Sequence, residues 1–171
     1  MEDKYKYFRF LAYVIEIFVF FVVQQTPGLI PTVLGGRPML LLPILVTIAM
    51  FENETVGLFF GLLIGVISDI GLWNVIGFYG IIFAIIGYVI GLLAVNFLRT
   101  NLITALIASL AAIIVSYGMY YLFAYVFKGY DGMAYVFVNH FLSRMVYTLV
   151  LSPVFYFFNK AIAIQIRQRD T

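Results

Sequence analysis

The sequence contains no cysteine, one histidine, one tryptophan and few charges, since Asp, Glu, Lys and Arg make up 11% of its 171 residues. Without cysteine the chain can form neither a disulfide nor a thiolate metal site. A single histidine cannot provide the several ligands of a metal site, so we expect neither metal nor cofactor. The net charge of +2 is small and the basic residues gather near the chain ends. Nucleic acid is therefore not an expected partner.

Apolar side chains are in large excess: 64% of the residues are hydrophobic and the mean hydropathy is +1.07. Soluble domains contain roughly 45–50% apolar residues, and a soluble fold of this size could not cover so much apolar surface. No Ser-rich, Pro-rich or charged linker divides the chain. We therefore predict an all-α integral membrane protein with a single membrane domain over residues 1–171.

Apolar runs close to the roughly 20 residues that cross a bilayer predict a compact bundle of six transmembrane helices. A breaker cluster beginning at Thr26 ends the first helix, and Pro38 suits the first turn of the second. The second helix is short for a crossing, and an oblique helix and a start near Thr32 are the alternatives. A tight turn makes the third and fourth an antiparallel hairpin, and Pro153 predicts a kink in the sixth. The predicted ranges are 7–25, 38–51, 55–73, 76–98, 101–127 and 136–161.

Lysine and arginine are distributed unequally between the two predicted sides of the membrane. With six helices both termini share one side, because each crossing reverses the chain. That side carries Lys4, Lys6, Arg9, Arg99, Lys160, Arg167 and Arg169, against Arg37 and Lys128 on the other. Because positive charge is retained in the cytoplasm, we predict that both termini are cytoplasmic.

Small residues recur at every fourth position in the third and fourth predicted helices. They are Gly57, Gly61 and Gly65, followed by Asp69, in the third helix, and Gly80, Ala84, Gly87 and Gly91 in the fourth. Small residues at this spacing let two membrane helices approach closely. The pattern predicts packing inside the bundle, and a groove that receives a partner's helix is the alternative.

Four ionisable residues lie within predicted helices, where each costs about 2.5–3.5 kcal/mol near the membrane centre. Glu16 lies in the middle of the first helix, Asp69 near the outer end of the third, and His140 and Arg144 in the sixth. By depth, Asp69 and Arg144 can meet, so we predict a structural ion pair with Glu16 as the alternative partner. A contact with another protein and a transport relay are the other interpretations. We expect His140 to be a hydrogen-bonded packing residue.

The short turn before the third predicted helix contains Glu52 and Glu54. We expect them to cap that helix, because negative charge is favourable at a helix N-terminus; metal or substrate binding is the alternative. The sequence has no Walker loop, nucleophile elbow or metalloprotease helix motif. We therefore expect no enzymatic activity.

The order of motifs between Gln24 and Gly91 resembles that of a known family. The motifs are Gln-x-x-Pro at the end of the first helix, Arg37-Pro38 before Leu40-Leu41-Leu42, Gly57-x-x-x-Gly61-x-x-x-Gly65-x-x-x-Asp69, Gly77-x-x-Gly80 and Gly87-Tyr88-x-x-Gly91. In this order they resemble MreD, the rod-shape-determining membrane protein of bacteria. By this resemblance Arg37 and Pro38 stand at the family's Arg-Pro, and Asp69 at the acidic end of its glycine helix. Met39 departs from the Asp or Asn that many members have there.

The resemblance implies a non-enzymatic subunit of the bacterial elongation (rod) complex in the cytoplasmic membrane. Such a subunit binds MreC directly and helps to organise lateral peptidoglycan synthesis and cell shape. MreB, RodA and a class B penicillin-binding transpeptidase are the further complex members implied, and membrane lipid surrounds the helices. One hypothesis for docking is that part of the glycine-lined surface receives the membrane helix of MreC.

The family is similar in fold to the substrate-binding S components of energy-coupling-factor vitamin transporters, so an S component is the alternative function. S components tend to have an Ala-x-x-x-Ala face on their first helix, whereas this first helix has only Ala12. A small channel or flippase ranks last, because no polar helix face is available to line a pore.

Overall fold

The computed structural model describes residues 2–31, 37–72, 77–97, 100–123 and 142–167. Within these ranges every regular element is a helix, in agreement with the all-α prediction, and six helices are described. The helices are α1 (Glu2–Gln25), α2 (Leu41–Phe51), α3 (Glu54–Leu72), α4 (Phe78–Asn96), α5 (Leu102–Tyr121) and α6 (Ser143–Arg167).

Four of the helices contain segments that are long and apolar enough to cross a membrane. These segments are Lys6–Gln25, Phe78–Asn96, Leu102–Tyr121 and Ser143–Ile164. Large apolar side chains such as Ile81, Ile103 and Val150 point outward and are about two-thirds exposed. Each would cost roughly 1.5–3 kcal/mol to leave in water, so the outer surface of the bundle is suited to lipid.

The short helix α2 is the centre of the bundle. Every residue from Leu41 to Met50 is buried, and α2 packs against the other five helices. Eleven residues at 1.5 Å each give a length of about 16 Å, roughly half of the hydrocarbon thickness of a bilayer. The helix starts three residues after the predicted start at Pro38 and lies inside the bundle.

Two neighbouring helices hold the chain where it enters α2. The backbone N–H of Leu40 donates to the side-chain oxygen of Gln24 in α1, at 2.9 Å. The N–H of Met39 donates to the hydroxyl of Thr148 in α6, at 3.1 Å. Pro43 is the third residue of α2, a position where a missing N–H costs nothing because no intrahelical acceptor exists for it. Pro43, not Pro38, is thus the proline of the first helical turn.

The remaining helix ends follow the sequence signals more closely. Helix α1 ends at Gln25 as predicted, and Gly28 beyond it has a φ of 87°, a conformation that favours glycine. It starts at Glu2 and not at residue 7, and α6 continues through Pro153 to Arg167, past the predicted end at 161. The predicted end of the fifth helix and start of the sixth lie outside the described residues.

Candidate functional site: buried contacts between the helices

The glycines of α3 form the surface on which α4 packs. A Cβ atom built on Gly57, Gly61 or Gly65 would collide with backbone carbonyl oxygens of α4. For Gly61 the collision is with the carbonyl of Phe83. The two backbones therefore touch along the length of the hairpin, which only glycine permits at these positions.

The small residues of α4 complete the same interface. Gly87 lies against the backbone of Gly57, and a Cβ on Gly91 would lie 2.6 Å from the Cα of Glu54. Ala84 faces Gly61, and Gly80 faces Val66 and Asp69 of α3. All the small residues predicted for helix packing or partner docking thus lie in the α3–α4 interface, and the hairpin itself covers them. The hypothesis that this glycine face receives a partner helix is not compatible with this packing.

Asp69, near the end of α3, caps the N-terminus of α4. Its carboxylate is fully buried and accepts three backbone N–H bonds, from Gly77 at 2.8 Å, Tyr79 at 3.0 Å and Gly80 at 3.2 Å. The first N–H groups of a helix have no intrahelical acceptor, and a negative charge there is favoured by the helix dipole. Asp69 therefore satisfies groups that α4 cannot satisfy itself, since its own N-cap residue is a glycine.

The expected ion pair between Asp69 and Arg144 is not formed. The salt bridge found among the described residues joins Arg9 to Glu52, and the Nε of Arg144 is buried without a hydrogen-bond partner. The Asp69 carboxylate instead accepts backbone N–H bonds at the α4 N-terminus. Glu16, the alternative partner, contacts α6 at Asn159, far along the helix from Arg144.

Sequence reasoning missed the salt bridge that links α1 to the end of α2. The guanidinium of Arg9 contacts the carboxylate of Glu52 through Nε at 2.6 Å and through Nη2 at 2.9 Å. Tyr13, one turn further along α1, donates its hydroxyl to the same carboxylate at 3.2 Å. Glu52 therefore binds α1, a contact that was not predicted. Glu54 lies in the first turn of α3, as expected. The sequence signal for this contact was the spacing of Arg9 and Tyr13, which are four residues apart and so lie on one face of α1.

Glu16 lies in a second polar contact, between α1, α2 and α6. Its Oε1 accepts from the Asn159 amide at 3.1 Å, and the same amide nitrogen donates to Thr47 Oγ1 at 2.8 Å. All three side chains are buried. Asn159 and Thr47 carry no charge and were not singled out in the sequence.

The family motif and the histidine complete the set of predicted site residues. Arg37 is exposed, whereas Pro38 and the adjacent Met39 are buried at the entrance to α2. His140 lies outside the described residues. Among the residues that the structure describes, no three His, Cys, Asp or Glu side chains come together as a metal site.

Apolar helices with outward-facing large side chains, joined by buried polar contacts, define a helical membrane protein. A protein-family model described as rod shape-determining protein MreD matches residues 4–162. The match covers most of the chain, which therefore belongs to the MreD family, and the resemblance read from the motifs is confirmed. The family is one of shape-determining proteins. Searches of curated proteins and of solved structures gave no significant match.

Proposed function

We propose that this protein is a non-enzymatic membrane subunit of the bacterial elongation (rod) complex, which binds MreC and helps to organise lateral peptidoglycan synthesis. The observation that carries this proposal is the family match over residues 4–162. The polar contacts described above support a scaffold, because Asp69 and Glu52 are occupied by contacts within the bundle. MreB, RodA and a class B penicillin-binding transpeptidase are the further complex members of this proposal.

The proposal places the protein in the bacterial cytoplasmic membrane as a multi-pass protein with both termini inside. The four apolar segments long enough to cross a bilayer support this arrangement. The basic residues near the termini support the cytoplasmic location of both ends.

MreC is proposed to bind an outward-facing surface of the bundle. The α3–α4 glycine face is excluded as that surface, since the backbones of its own hairpin fill it. Two outward regions can be compared by experiment. One is the exposed side of α1 around Leu11, and the other is an apolar groove of about 380 Å³ between α4 and α5 that includes Ala111.

Affinity purification from the native membrane in mild detergent, with partners identified by mass spectrometry, tests the proposal. We expect MreC together with elongation synthases. Photo-crosslinking residues at Leu11 and at Ala111 would then report which outward surface contacts MreC. Gly118→Ala is a suitable control variant, because the added methyl group meets no atom within 4 Å. Recovery of a coupling ATPase and its transmembrane subunit without MreC would contradict the proposal and indicate a transporter S component.

A further inference from the structure

Three polar side chains meet in the interior of the bundle, one from each of three helices, and one of them is ionisable. Glu16 of α1 is 4% exposed, Thr47 of α2 is 1% exposed and Asn159 of α6 is fully buried. Helices α1, α2 and α6 thus share one polar contact at the middle of α1. In an apolar surrounding each donor and acceptor of such a contact needs a partner.

Most of the hydrogen-bonding groups in this cluster are paired. Asn159 uses its amide nitrogen for two bonds, to Glu16 Oε1 and to Thr47 Oγ1. The Thr47 hydroxyl is within hydrogen-bond distance of the carbonyl oxygens of Pro43 at 2.9 Å and Ile44 at 3.0 Å. Two atoms remain buried without a partner: Glu16 Oε2 and Asn159 Oδ1. While the Glu16 carboxyl is ionised, both atoms are acceptors and neither can donate a hydrogen bond to the other.

No positive charge compensates Glu16 within the described part of the chain. On α1, Tyr13 and Arg9 are engaged with Glu52, the residue that follows α2. On α6, the ammonium of Lys160 lies 5.7 Å from the centre of the Tyr156 ring. An isolated buried carboxylate costs several kcal/mol even after relaxation of its surroundings. A hard cation such as calcium collects six or more oxygen ligands, whereas two orphaned oxygens are available here.

We propose that Glu16 is a proton-binding site and is a neutral carboxylic acid in the folded protein. The added proton sits on Oε2 and is donated to Asn159 Oδ1, while the Asn159 amide continues to donate to Oε1. This forms a closed acid–amide pair with two parallel hydrogen bonds. One proton taken from water satisfies both orphaned atoms at once and removes the net charge. The three helices are then joined inside the membrane by an uncharged polar contact.

Infrared spectroscopy of the full chain in lipid tests the proposal. At neutral pH we expect a C=O stretching band of a protonated carboxylic acid. The band should shift when glutamate carboxyls are labelled with carbon-13, which separates the four glutamates from the aspartates without any mutation. A spectrum with only ionised glutamate bands, or a band that changes with sodium concentration at constant pH, would overturn the proposal.

Two variants at the same position provide an independent check. Glu16→Gln should lose the acid band yet keep the thermal unfolding temperature of the wild type, because its amide N–H replaces the proposed O–H donor to Asn159. Glu16→Leu should unfold at a lower temperature, because it leaves the Asn159 amide without its acceptor. If the leucine variant is as stable as the glutamine variant, the acid–amide pair is not present.

Discussion

At the scale of single residues, the buried carboxylate of Asp69 replaces a missing helix cap. We expect Asp69→Ala to lower the free energy of unfolding by about 2–4 kcal/mol, because three backbone N–H groups of α4 lose their acceptor inside the bundle. Chemical unfolding in mixed detergent micelles measures the change. Ser68→Ala is the matched control, since the Ser68 hydroxyl bonds only to Ile64 of its own helix. An effect of Asp69→Ala no larger than that of the control would contradict the capping role.

The salt bridge between Arg9 and Glu52 predicts energetic coupling between α1 and the end of α2. Neutralising either residue, as Arg9→Gln or Glu52→Gln, removes the ion pair while the other charge stays buried. The double variant should therefore be less destabilised than the sum of the single variants, by about 1–3 kcal/mol. The same unfolding assay gives this coupling energy. Lys6→Gln is the control on the same helix because Lys6 is exposed, and additive effects for Arg9 and Glu52 would refute the prediction.

The identities of costly polar residues could be predicted from the sequence, but their partners could not. Glu16 and Asp69 stand out because ionisable residues are rare within apolar helices. Their actual partners are a neutral amide of α6 and backbone N–H groups of α4. Backbone groups have no sequence signature, and the relative depth of two helices does not show which groups face each other. The predicted pair of Asp69 with Arg144 failed for that reason.

At the scale of helices, the α3–α4 hairpin depends on the absence of side chains where the two backbones touch. Gly61→Ala should destabilise the protein by about 1–3 kcal/mol through overpacking, since the new methyl group would collide with the Phe83 carbonyl. Gly61→Leu should prevent folding. Gly118→Ala on α5 is the contrasting control, because it meets no neighbour and gains up to about 1 kcal/mol in helix propensity. Thermal unfolding and size-exclusion profiles compare the variants, and equal stability of the two alanine variants would disprove close backbone contact at Gly61.

The α3–α4 hairpin and helix α2 differ in how far their packing could be predicted from the sequence. Small residues at every fourth position of α3 and of α4 predicted the contact between these helices, because such a pattern can be seen within each helix alone. Helix α2 was harder, since the chain at its start donates hydrogen bonds to Gln24 and Thr148, which are distant in the sequence. A continuously apolar segment also has no polar face to reveal that it is an internal helix surrounded on all sides.

At the scale of the whole molecule, the polar contacts show which chain segments lie together at each end of the bundle. At one end Arg9 binds Glu52, and the Tyr156 hydroxyl donates to the carbonyl of Thr100 between α4 and α5. The Phe51 and Tyr156 rings pack together there, 5.7 Å apart. At the other end Gln24 binds the chain before α2. The N-terminal part of α1, the α2–α3 turn and the α4–α5 turn therefore share one side.

Cysteine-scanning of this arrangement tests the predicted orientation in the membrane, on a background free of native cysteine. Because the end containing Arg9 carries more basic residues, we expect Asn53→Cys and Thr100→Cys to face the cytoplasm. Leu29→Cys, between α1 and α2, should face the opposite side, and all three positions are exposed. A membrane-impermeant maleimide should label Leu29→Cys in intact cells, and the other two variants only after permeabilisation. The reverse pattern would invert the orientation, whereas labelling of all three in intact cells would contradict the separation of the bundle into two ends.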